Sequence, residues 1–137
     1  SRRPWLTPLG ISLPDGELLA ALEREGYPVD DSGHAPEHSI ENQLPFLQHL
    51  RADVRIAPVG LSHLSSVDEA ERLARALVAA TQGRDVLLMA TTDYTHAGGP
   101  YPEQPPAGKP LVDFVRSQDA PLVEAIASGD PGRLLEA

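Results

Sequence analysis

Pro36-Glu37-His38-Ser39-Ile40-Glu41-Asn42-Gln43-Leu44-Pro45-Phe46 packs two carboxylates and an imidazole into residues 37–41. An apolar set follows at Ile40, Leu44, Leu47 and Leu50. The spacing of three and four is one face of a helix and predicts one over residues 39–50. Pro45 removes a backbone donor, which the first turn of a helix tolerates. A helix starting near Ser39 would set its unpaired N–H groups beside Glu37, His38 and Glu41, where a helix terminus favours anions. The functional reading puts His38 near a metal or substrate, flanked by the two carboxylates. The plainer reading is a capping histidine paired with Glu41.

A second ionisable pair lies downstream. Val86-Leu87-Leu88-Met89-Ala90 is the most apolar run of the chain and reads as a central strand over 86–91. Asp93 and His96 follow at its carboxyl end, where open α/β sheets bind ligands. An aspartate three residues before a histidine can hold the tautomer of an oriented base. On residue type alone, a turn-capping aspartate and a solvated histidine fit equally well. If both polar clusters serve one site, His38 and His96 should approach each other in a shared pocket.

The rest of the chain alternates strand and helix patterns. Leu9, Ile11 and Leu13 alternate with Gly10 and Ser12, a strand over 9–13. Asp15 caps a helix over 16–25 that carries Leu18, Leu19 and Leu22 and is stopped by Gly26. Residues 54–61 are largely apolar and β-branched, a strand interrupted at Pro58. Ser66 and Glu69 form a capping box for a helix over 67–81, with Ala70, Leu73, Ala74, Leu77 and Val78 as its inner face. Residues 91–108 are a loop. Leu111 to Ile126 is helical, with Pro121 expected to split or kink it. This order predicts an α/β fold, a central mixed sheet flanked by helices.

Bulk properties narrow the function. Eleven Lys+Arg against 20 Asp+Glu give a net charge of −9, which argues against nucleic acid and anionic membrane as partners. No apolar run approaches a membrane span and no signal peptide is visible, so a cytoplasmic address is the default. The sequence has no cysteine, hence no disulfides and no thiolate chemistry. Of the remaining histidines, His34 sits in a polar loop, His49 on an exposed helix face, and His63 after a strand end. Tyr94 and Tyr101 could meet a substrate or simply pack.

Glu37-His38-Ser39-Ile40-Glu41 followed by Leu44-Pro45-Phe46 resembles the EHSIE-x-x-LP signature of the Memo family, whose prokaryotic members are called AmmeMemoRadiSam system protein B. Thr91-Thr92-Asp93-Tyr94-Thr95-His96 resembles its S-S-D-[FY]-x-H motif, and Trp5-Leu6-Thr7-Pro8-Leu9-Gly10 its W-x-T-P-L-G motif. The three occur in family order.

The resemblance implies a fold similar to the class III extradiol dioxygenases, with a site at the ends of the central strands. It implies His96 as catalytic base. With the residue reading, Asp93 is then expected to orient it, and Glu37, His38, Glu41 and Tyr94 to contact the substrate or orient the site. Family members take metal ligands from H-A-G-Y and G-P-x-H motifs and a late Cys. None of these occurs here. Residues 1–137 are therefore expected to be a single Memo-like α/β domain lacking the family's N-terminal and C-terminal portions. Ser1-Arg2-Arg3-Pro4 reads as the start of a processed or truncated piece. No metal and no activity are expected in this chain alone. A full-length member would be an iron-dependent, dioxygenase-like oxidoreductase. The alternative is a protein- or peptide-binding module. Expected partners are a small molecule or peptide, a second copy of the chain, and a pathway link to radical SAM and AMMECR1-like proteins.

Overall fold

Trp5–Thr7 (β1) and Gly10–Pro14 (β2) form an antiparallel hairpin, with Trp5 opposite Ser12, Leu6 opposite Ile11 and Thr7 opposite Gly10. The structure, a computed structural model, describes residues 1–61 and 66–137. His63 lies outside the described residues. The described parts of 1–64 and 71–91 make one compact unit, and those of 65–70 and 92–137 another.

In the first unit, Asp15 ends the strand and starts the helix Gly16–Arg24 (α1), its side chain accepting the Leu18 N–H at 2.8 Å. The helix Leu44–Leu50 (α2) leads to Arg55–Ile56 (β3), which pairs in parallel with β2 through Leu13–Arg55 and Pro14–Ile56. A parallel partner needs a crossover connection, and the segment holding α1 and α2 supplies it. The sheet is mixed, with order β1-β2-β3. Residues 71–81 of Val67–Thr81 (α3) follow in this unit; at the helix start the Glu69 N–H reaches the Ser66 hydroxyl at 3.3 Å, as the capping box requires. Leu18 and Leu22 of α1 pack with Ala80 of α3, and Tyr27, Ala57, Leu77 and Val86 close around them.

The second unit carries Leu111–Ser128 (α4) and Pro131–Glu136 (α5). Gly129 closes α4 in the left-handed region at φ 66°, a conformation that costs glycine little. Asp130 caps α5 by accepting from the Gly132 and Arg133 N–H groups. The fold is α/β, with a small mixed sheet and helices. Among the described residues no helix is long and apolar enough to cross a membrane.

Several local expectations are corrected. Residues 86–90 form no strand; Val86 packs into the core while Leu87, Leu88 and Met89 are exposed. A run apolar on both faces suits an interior strand with two neighbours, and it pairs with no strand among the described residues. The strand expected over 54–61 is only two residues long and stops before Pro58. The helix expected from 39 starts at Leu44, because Pro45 takes the first turn. Its inner residues are Leu44, 1 % exposed, and Gln48, while Leu50 faces out. Gln48 bonds the Thr7 hydroxyl, tying α2 to the hairpin. In β2 it is Ser12 that turns inward, its hydroxyl reaching the Val54 carbonyl at 3.3 Å, while Ile11 and Leu13 are exposed. In α3 the buried set is Leu73, Ala76 and Ala80, with Ala74 and Val78 outside. Pro121 does not divide α4 into two helices.

Replacing Asp15 by Ala removes a cap worth about 0.5–2 kcal/mol. Asp15→Asn keeps an acceptor for Leu18 and should cost less. Urea unfolding should show a lower midpoint for both variants, larger for Ala, with an unchanged slope. Equal losses would move the weight from the cap to the ion pair that Asp15 makes with Arg84.

Candidate functional site

The EHSIE run is held by its own first carboxylate. Glu37 Oε1 accepts the His38 and Ser39 N–H groups at 2.7 and 2.6 Å. The chain then winds through hydrogen-bonded turns, Asn42 N–H to His38 carbonyl at 3.1 Å and Gln43 N–H to Ile40 carbonyl at 3.0 Å, and enters α2. The Ser39 N–H, with that of His38, pulls the Glu37 carboxyl below its ordinary value of 4.5. Hydrogen bonds to a charged form favour that form. His38 Nδ1 lies 3.6 Å from Glu37 Oε1, its side chain 74 % exposed. Glu41 is exposed. The capping group is therefore Glu37, and the neighbour of His38 is Glu37 rather than Glu41.

In the second unit, His96 Nε2 lies 3.2 Å from Asp93 Oδ2. The His96 ring stacks on Tyr101, centroids 5.0 Å apart and planes 24° apart. A turn makes that stack: Gly98 N–H donates to the Glu103 carbonyl at 2.8 Å and Tyr101 N–H to the Gly98 carbonyl at 3.1 Å. Gly98 has φ 77°, which disfavours a side chain there, and a Cβ would have to displace the tip of Leu111 of α4, 2.8 Å away. Upstream, the Thr95 N–H donates to Asp119 Oδ1 of α4 at 3.0 Å. Tyr94 is exposed. With Nε2 facing the carboxylate, Nδ1 of His96 is the nitrogen left to take a proton.

The two motifs fall largely in different units. Glu37, His38 and Glu41 belong to the first unit, and Asp93, Tyr94 and His96 to the second. Within the first unit, Gln43 Nε2 lies 3.5 Å from Thr91 Oγ1. Of the secondary candidates, His34 is half-buried edge-on against Trp5, rings 6.0 Å apart, and burial lowers its pKa. His34 Nδ1 and Trp5 Nε1 are both buried without a hydrogen-bond partner. His49 ends α2 on its exposed side.

Among the described residues no group of three or more His, Cys, Asp or Glu is arranged to hold a metal ion. The donor pairs present, His38 with Glu37 and His96 with Asp93, are short of the three or four ligands that iron or zinc needs. The described residues therefore do not fit a metal centre by themselves. Asp119 and the stacking role of Tyr101 were not legible beforehand. The available signal for Asp119 was an aspartate inside a helix, where it is unfavourable unless its side chain is used.

An α/β chain with a loop-borne histidine–aspartate pair defines a protein with a candidate acid–base site. A family profile described as Memo-like protein matches residues 1–137. The MEMO1 family protein of Pyrococcus abyssi is 36 % identical over 136 residues, covering 92 % of this chain and 46 % of the relative. That of Methanosarcina barkeri is 39 % identical over 132 residues, covering 93 % and 45 %. That of Aeropyrum pernix is 38 % identical over 132 residues, covering 93 % and 42 %. The chain belongs to the Memo family. It spans about half the length of these curated relatives. No solved structure matches it.

Glu37 gives the site a pH signature. Its folded pKa lies below 4.5, so the unfolded chain takes up the proton first. The stabilisation from its turn is present above about 4.5 and is lost as pH falls through the folded value. Stability measured between pH 3 and 6 should therefore fall more steeply with acid in the wild type than in Glu37→Gln. Parallel curves would show that the turn does not draw on the charge.

Proposed function

We propose that the chain contributes a proton-transfer base to a Memo-family active site, with His96 as the base and Asp93 orienting it. The observation that carries this reading is the 3.2 Å contact of His96 Nε2 with Asp93 Oδ2, combined with the ring stack on Tyr101. Asp93 holds the Nε2–H tautomer, and Nδ1 accepts a proton from a bound substrate. Tyr101 limits rotation of the imidazole. Tyr94 lines the site in this reading, and Glu37, His38 and Glu41 are further candidate substrate-orienting residues, carried by the first unit. The reaction class is redox chemistry of the dioxygenase-like kind, and the substrate is a small molecule with an acidic hydroxyl. Iron, where a complete member holds it, supplies the redox chemistry; the proton step belongs to the residues named here.

A second reading, a protein- or peptide-binding module, draws on a different feature. Leu6 and Ile11 are cross-strand partners, Leu13 shares their side of the sheet, and all three are exposed. Contiguous exposed apolar surface marks interaction sites. Self-association through this face predicts a sedimentation coefficient that rises with concentration and falls back in Ile11→Lys.

The test of the first reading uses a chimaera in which this chain replaces the matching region of the Pyrococcus abyssi relative. His96→Ala should lower turnover of a catechol panel by about 10²–10⁴-fold and leave metal content unchanged. Loss of the metal on that substitution would make His96 a ligand and end the assignment of a base.

A further inference from the structure

We propose that Asp119 is a positioning residue for the Asp93–His96 pair. The inference rests on the reading of His96 as a base and adds how the loop holds it in place. Thr95 is the last residue between Asp93 and His96, and its N–H donates to Asp119 Oδ1 at 3.0 Å in a part-buried setting. A bond to a charged acceptor is among the stronger hydrogen bonds. It fixes the backbone at the residue from which the His96 Cα continues. The other side of His96 is held as well: Gly98 packs against Leu111, and its N–H meets the Glu103 carbonyl. Asp119 and Leu111 both sit on α4. One helix thus pins the loop on both sides of the imidazole, with Tyr101 stacked against the ring.

The placement of Asp119 supports a dedicated role. Asp is a poor residue for a helix interior, and α4 keeps it partly buried nine residues before the helix ends at Ser128. Its Oδ1 is spent on a loop amide instead of an arginine or lysine partner. A rigid element that supports a loop-borne site is what holds catalytic geometry within the narrow range it needs. Without the anchor, the loop from Thr92 would keep its sequence and lose the angle at which Asp93 and Tyr101 meet the imidazole.

NMR on the whole chain tests this without any substrate. Two readouts are local: hydrogen exchange of the Thr95 amide, and the ring-current shift that Tyr101 imposes on the His96 ring protons. Tyr101→Ala supplies the reference for an unstacked His96. Asp119→Ala should speed Thr95 exchange by about tenfold or more and move the His96 resonances toward those of the reference. Asp119→Asn retains an oxygen acceptor and should restore both. Ala is the better helix former, so far-UV circular dichroism should not fall, and loss of α4 cannot stand in for loss of the anchor. An Asp119→Ala protein with protected Thr95 and unshifted His96 would overturn the proposal. These readouts involve no proton transfer, so they succeed or fail separately from the role of His96 as a base.

Discussion

The first unit depends on one carboxylate. Asp15 closes β2 and opens α1, and each of its polar groups is used. Its backbone N–H donates to the Ile56 carbonyl at 2.7 Å, which registers β3. Oδ1 caps α1 through Leu18, and Oδ2 takes the Arg84 guanidinium at 2.8 Å. Burial alone would raise its pKa, but the Leu18 N–H and Arg84 outweigh that and hold the carboxyl below its ordinary value. Arg84 also reaches Glu17. Arg84, three residues past the end of α3, is thereby fixed to the strand–helix junction, and the chain leaving it runs on to Thr91, whose Oγ1 lies near Gln43. The ion pair itself is modest, since partly exposed pairs contribute little. Its value is that it fixes the path of the segment entering the second motif.

The two halves of the candidate chemistry are held by different devices. Around Glu37 the backbone wraps onto a carboxylate, so the charge goes into structure and His38 stays open to solvent. Around His96 the loop is fastened from outside, by a helix and by a glycine that permits close approach. The second arrangement holds its imidazole between a carboxylate and a stacked ring, whereas the first leaves His38 74 % exposed beside one carboxylate. That difference is why His96 carries the chemical argument and Glu37 the structural one.

What could be read in the sequence follows the range of the forces. Local rules were legible: the Asp15 cap, the stop at Gly26, the capping box of α3 and its span 67–81, and the pairing of Asp93 with His96 at three residues' separation. The family signature was legible because its residues are contiguous. Long-range consequences were not. Which face of β2 turns inward depends on Val54 across the sheet, and Ser12 won over Ile11 because a hydroxyl can satisfy that carbonyl. The run at 86–90 has the composition of an interior strand, but composition does not say whether neighbours are present to pair with it. Asp119 lies 23 residues from His96 and joins it only through a backbone amide, a contact with no periodic trace.

The central claim is that Asp93 makes His96 an oriented base. Carbethoxylation of histidine by diethyl pyrocarbonate reports the nucleophilicity of each neutral imidazole, and mass spectrometry separates the 5 histidines. His96 should react faster than the exposed His38 and His49, and Asp93→Asn should slow His96 several-fold while leaving those two unchanged. Equal rates at His96 in the wild type and Asp93→Asn would contradict the account, because the carboxylate would then have no hold on the ring.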